Sequence, residues 1–175
     1  MVMLYMSTKD FSNIQETTIA KYLNWSTVSG SGATPFHKGD VYSSTWLGEC
    51  KTRMKSSKTI VVYMSHLIKI SNEAMFDRKK SVLFVDDGSQ LLPCTWAVFY
   101  PQSIFPISNS ICCIKVNDQL NINEKTVTFE HSKLKSLYET LIKKFKHVVF
   151  VLDWKTKQMC LAPISEFKYI SEVAR

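Results

Sequence analysis

The run from Gly39 to Arg53, GDVYSSTWLGECKTR, constrains this chain most, because it holds two strand-forming stretches with almost nothing between them. Residues 40–43 carry Val41 and Tyr42. Residues 46–52, less cleanly patterned, carry Trp46 and Leu47, and Ser44 with Thr45 between the two stretches predicts a tight turn. Side chains on a strand alternate between its faces, so Glu49 and Lys51 share one face while Cys50 points the other way. If the two strands pair across the turn, Asp40 arrives beside Glu49. Two carboxylates then converge with an ammonium group next to them.

The surrounding pattern supplies a scaffold for this hairpin. Residues 12–24 predict a helix, with Ser12 as its cap, Gln15 and Glu16 in its first turns, and Ile14, Ile19, Ala20 and Leu23 as an apolar stripe. After a short strand, the Ser-, Gly- and Pro-rich stretch VSGSGATPFHKG cannot continue a helix and reads as a flexible loop. Residues 60–75 carry Val61, Met64, Leu67, Ile68 and Ala74 at helical spacings and predict a second helix, and 81–85 predict an apolar strand stopped by DDGS. The order helix, strand, strand, strand, helix, strand suits an α/β fold, a mixed central sheet flanked by helices.

Beyond Pro93 the chain is richer in strands, at 95–100, 111–116, 127–130, 147–152 and 158–162. Leu134, Leu137, Tyr138, Leu141, Ile142 and Phe145 mark an amphipathic helix among them. No internal repeat or clear linker divides the 175 residues. The expectation is one domain over 1–175, with a core at about 12–100 and a strand-rich C-terminal elaboration at about 101–175.

Composition narrows the function. Hydrophobic residues make up 45% of the chain, enough for a buried core, and Lys plus Arg exceed Asp plus Glu by 22 to 15, a net charge of +7 that favours polyanionic partners without requiring them. Cys50, Cys94, Cys112, Cys113 and Cys160 are scattered and odd in number, as expected of reduced thiols in a cytoplasmic protein. Neither they nor His66, His131 and His147 show zinc-ligand spacing. The opening MVMLYM is too short for a signal peptide, and no apolar run approaches the roughly 18 residues of a membrane span.

Two carboxylates beside an ammonium suit phosphodiester hydrolysis, in which oxygen ligands hold a hard divalent cation, Mg²⁺ or Mn²⁺, that polarises the phosphate and acidifies water. Asp40 and Glu49 are the expected ligands, with the backbone carbonyl of Cys50 as a further oxygen. Lys51 is expected to orient or activate the attacking water and to offset charge that builds on the phosphate.

Asp40 followed by Glu49, Cys50 and Lys51 resembles the signature of the PD-(D/E)xK nuclease superfamily, which implies a restriction-endonuclease-like fold. Within it, the stretch from Glu16 through GSGATPFHKGDV to ECKTR is similar to archaeal-type Holliday-junction resolvases and their phage relatives. The resemblance implies a site of Glu16 (a further metal ligand), Ser31, Asp40, Glu49 and Lys51, branched DNA as substrate, and a homodimer, since cutting a four-way junction symmetrically needs two active sites. It covers about residues 12–85, and Gly39 stands where a proline often precedes the aspartate. Duplex, flap or single-strand specificity on the same site, or a non-catalytic DNA-binding protein on the same fold, are the competing expectations.

Several of these residues also have plainer readings. A glutamate in a helix's first turn complements the helix dipole, which is the alternative for Glu16. Ser29 competes with Ser31 as the substrate-contacting loop serine, and His37 and Lys38 on the same loop either reach phosphates or are simply solvated. Arg53, Lys55 and Lys58 follow the Glu49 strand and are expected to track a DNA backbone, as Arg78, Lys79 and Lys80 could from the second helix. Asp86 and Asp87 read as ordinary turn residues, and Trp96, Phe99 and Tyr100 as core.

Overall fold

The computed structural model describes residues 7–28 and 38–174. Ser29, Ser31 and His37 lie outside these residues. The first helix, α1 (Thr8–Leu23), opens with a capping box in which the Ser7 side chain accepts from the Asp10 N–H and Asp10 reaches back to the Ser7 backbone. It closes on Asn24 in the left-handed conformation, φ 58°. The helix therefore starts at Ser7, earlier than Ser12, whose own cap is not needed. Glu16 consequently lies about two turns in, beyond the first turn where a macrodipole acts, so the dipole reading of Glu16 loses its basis.

Strands β1 (Ser26–Thr27), β2 (Val41–Tyr42) and β3 (Trp46–Lys51) follow. β2 pairs antiparallel with both β1 and β3, so the Ser44–Thr45 turn forms the predicted hairpin. The segment TIVVY then departs from expectation: it is a strand, β4 (Thr59–Tyr63), and helix α2 (Met64–Phe76) begins only after it. Its β-branched residues are stiff at χ1 and alternate, with Ile60 and Val62 buried and Val61 and Tyr63 more open. A pairing partner in β9 (Thr126–Glu130) decides the outcome by aligning Val62 with Val127. β4, β9 and β8 (Asn121–Ile122) form a small three-stranded sheet.

From α2 the chain returns as β5 (Lys80–Val85), parallel to β3, and then β6 (Trp96–Phe99), β7 (Cys112–Lys115), α3 (His131–Leu141), β10 (Val148–Trp154) and β11 (Lys157–Pro163). Among the described residues the main sheet has eight strands in the order β1-β2-β3-β5-β6-β11-β10-β7, parallel at β3/β5 and β10/β7 and antiparallel elsewhere. In the C-terminal region β7, β10 and β11 thus extend the same sheet. A fourth helix, α4 (Ile164–Val173), follows, which the strand-oriented reading of the C-terminal region omitted.

The sheet separates two cores. Leu47, Leu83, Trp96, Val98, Phe150 and Leu161 pack with α2, α3 and the small sheet. On the other face Trp46, Cys50, Phe84, Phe99 and Cys160 pack with α1 and α4. Phe167 of α4 is the hub of that face, edge-on to Trp25, Trp46 and Phe84 at 5.0–6.1 Å and tilted against Phe99 at 5.4 Å. Gly48 allows this packing, since a Cβ there would stand 2.8 Å from Val41 and 2.9 Å from Phe84. Among the described residues no helix is long and apolar enough to cross a membrane.

Phe167 is fully buried, so Phe167→Ala removes the hub and leaves a cavity; urea unfolding should show a loss of about 3–5 kcal/mol. Met75→Ala, at a side chain 71% exposed, should stay within about 0.5 kcal/mol of wild type.

Candidate active site

The site lies at the C-terminal half of β3. Leu47 packs in the core on the α2 face and Cys50 in the core on the α1 face, and alternation therefore turns Glu49 and Lys51 toward α2. Their side chains meet, Lys51 Nζ lying 2.7 Å from Glu49 Oε1. Glu49 is 3% exposed, a burial few carboxylates tolerate without a partner. It has two, because Lys69 of α2 places its Nζ 3.2 Å from the same oxygen.

Asp40 enters from the chain preceding β2. Gly39 holds φ +75°, a value proline's ring forbids, and a Cβ at Gly39 would meet Leu47 at 2.9 Å. The Asp40 N–H donates to the Gly48 carbonyl at 2.8 Å, and its Oδ2 accepts the Cys50 N–H at 2.7 Å. Since β2 is two residues long, the Asp40 side chain takes over where its ladder stops. A carboxylate is thereby fixed against the backbone between Glu49 and Lys51.

Charge is strongly perturbed here. Burial first, then the charge of Glu49, raises the Asp40 pKa against the Cys50 N–H, which lowers it. Glu16 is half-buried and pushed from 4.5 to about 7 by burial, then by Asp40, with Lys51 opposing and Glu49 adding a little. Glu49 goes the other way: burial would raise it, but Lys51 and Lys69 together hold it below the ordinary carboxylate value. Burial would likewise lower Lys51, yet Glu49 and Asp40 raise it, so Lys51 is an ammonium at neutral pH. Burial, with Asp40, pushes the Cys50 thiol well up, leaving its side chain inert. Glu16, Asp40, Glu49 and Lys51 thus sense one another, although they come from α1, the loop before β2, and β3.

Three further groups belong to this neighbourhood. Gln15, 1% exposed, donates to the Lys51 carbonyl and to Asp86 Oδ2, each at 3.1 Å. Asp86 also accepts from the Thr52 hydroxyl at 2.7 Å and the Gly88 N–H at 2.8 Å. The turn reading of Asp86 is therefore incomplete, since its carboxylate also ties α1 to the ends of β3 and β5. His66 of α2 has its pKa lowered by burial and by Lys51 and Lys69, with Glu49 opposing. No sequence pattern pointed to the roles of Gln15 and Asp86 here; Lys69 and His66 depend on how α2 crosses β3.

The basic residues divide. Arg53, Lys55 and Lys58 are exposed on the loop leaving β3, and Arg53 donates to the Thr59 carbonyl at 3.3 Å. That loop leans on the DDGS turn, where Gly88, φ +91°, has no room for a Cβ beneath the Lys55 carbonyl, 2.5 Å away. Lys38 sits over the Phe76 ring at 5.6 Å. Lys79 and Lys80 are engaged elsewhere, with the Ser43 and Ala174 carbonyls, at the Trp46 end of β3. That is about 15 Å along the strand from Lys51.

Asp40 and Glu49 offer hard oxygen donors, and the carboxylate repulsion that adds to burial in raising Glu16 and Asp40 is what a divalent cation relieves. Among the described residues no three His, Cys, Asp or Glu side chains are already gathered as a metal-holding group. Compared with models of known protein families, with curated proteins and with solved structures, the chain matches none.

The Glu16 shift has a signed consequence. Its folded pKa lies above the unfolded 4.5, so the stability it contributes is complete below pH 4.5 and is lost as pH rises to about 7. In EDTA, Glu16→Gln should therefore gain stability relative to wild type across that window and hold a constant advantage above it, as followed by urea midpoints at several pH values. Parallel pH profiles for the two proteins would show a Glu16 carboxyl of ordinary pKa.

Proposed function

We propose that this protein is a metal-dependent DNA endonuclease of the PD-(D/E)xK type, hydrolysing phosphodiesters with Mg²⁺ or Mn²⁺, and that its substrate is branched DNA such as a Holliday junction. The observation that supports this best is the Asp40–Cys50 hydrogen bond of 2.7 Å, which holds one acid against the strand on which Glu49 and Lys51 pair. A mixed sheet flanked by helices, with β5 parallel to β3, is compatible with the restriction-endonuclease-like fold that the sequence resemblance implies.

In this reading Asp40, Glu49 and the Cys50 carbonyl would hold the cation, with Glu16 alongside. The bound cation supplies positive charge that polarises the phosphate and makes nearby water more acidic. Lys51, kept protonated by Glu49, does not abstract a proton; it donates hydrogen bonds to the attacking water and to the phosphate oxygens where charge develops. Asp40 and Glu16, whose pKa values are raised, are the groups able to exchange protons near neutral pH. Gln15 and Asp86 fix the backbone at Lys51 and so its aim. Lys38, Arg53, Lys55 and Lys58, with Ser29 and Ser31 ahead of Asp40 in the sequence, contact the DNA backbone, and two copies of the chain cut the two strands of a junction.

One observation favours a second reading, a DNA-binding protein without catalysis: Glu49 is already neutralised by two lysines. Labelled junction and linear DNA, incubated with Mg²⁺ or with EDTA, separate the two. The nuclease cuts in Mg²⁺ alone and prefers the junction; Asp40→Asn binds but does not cut, and Lys51→Ala lowers kcat by about 10²–10³-fold with little change in DNA affinity. Metal-independent binding without cleavage by wild type would establish the second reading instead.

A further inference from the structure

Glu49 receives both ammonium groups on one oxygen, from Lys51 at 2.7 Å and Lys69 at 3.2 Å. Lys51 is tied to it by strand alternation, being two residues along β3. Lys69 is not: it projects from α2, its side chain is 55% exposed, and it has a second anion within reach. That anion is Glu73, one turn along the helix, with its Oε1 3.8 Å from Lys69 Nζ. The Glu73 side chain is 14% exposed, and its other oxygen, Oε2, is buried with no hydrogen-bond partner. A buried carboxylate oxygen without a donor is costly, so Glu73 is an acceptor with unused capacity.

We propose that Lys69 is an exchangeable counter-ion of the site, neutralising Glu49 while no divalent cation is present and transferring to Glu73 when one binds. The inference rests on the nuclease reading for its metal. A dication at Glu49 repels an ammonium on the same oxygen, and Glu73 gives that ammonium a place one helical turn away, so no charge is stranded. Lys69 is thus a positioning residue that acts through Glu49. It keeps the buried carboxylate ionised and ready, and it sets how tightly the cation is held.

Mn²⁺ binding to the whole protein, measured by calorimetry without DNA, tests this with opposite signs at the two positions. Lys69→Met removes the competitor and should bind Mn²⁺ roughly two- to five-fold tighter than wild type, the range an exposed ion pair supports. Glu73→Gln removes the alternative acceptor and should bind it weaker by a similar factor, while the double variant should match Lys69→Met. Thermal melts check that each variant is folded. Unchanged or weaker binding by folded Lys69→Met, or wild-type affinity in Glu73→Gln, overturns the exchange. If wild type itself binds no Mn²⁺ in a manner lost in Asp40→Asn and Glu49→Gln, the nuclease reading beneath it fails.

Discussion

A carboxylate almost wholly out of water, Glu49, is the constraint around which this end of the molecule is organised. Left alone it would be neutral or would destabilise the fold, since an unpaired buried charge costs several kcal/mol. Lys51 and Lys69 keep it ionised, and they come from two elements that meet only because α2 crosses over the β3/β5 pair. The same crossing brings His66 into the field of those charges. Asp40, Glu16 and Lys51 then take their protonation from one another.

The rest of the fold gives that cluster a rigid seat. The opposite face of β3 is held by aromatic packing around Phe167, with Gly48 keeping Val41 and Phe84 close. Gln15 and Asp86 pin the end of β3 from the other side. Charges spread over a loop, a strand and a helix keep their mutual spacing only on a scaffold packed this tightly. The basic loop from Arg53 to Lys58 is tethered to the same scaffold by the Ser57 N–H, which donates to the Asp87 carbonyl at 2.7 Å.

The legible parts of the sequence were those governed by local periodicity. Alternation in β3 put Glu49 and Lys51 on one face, and the Ser44–Thr45 turn gave the hairpin that brings Asp40 to Cys50. From sequence alone residues 60–63 read as the start of a helix, because their apolar residues run straight into those of α2, and only the partner strand β9 makes their two-residue period decisive. Ser12 reads as the cap in sequence because the Ser7–Asp10 box lies more than a turn earlier, in a polar stretch with no apolar stripe to announce it. Lys69, Glu73 and Asp86 were out of reach for another reason. Their roles depend on which elements cross, at 20, 24 and 37 residues from Glu49, and no short-range pattern encodes that.

The central claim, that Asp40 and Glu49 grip one divalent ion beside Lys51, is tested most directly by the anomalous signal of a crystal soaked in Mn²⁺. The account predicts a peak within about 2.0–2.3 Å of carboxylate oxygens of both Asp40 and Glu49, absent from Asp40→Asn crystals. A peak elsewhere, or none at millimolar Mn²⁺, would contradict it.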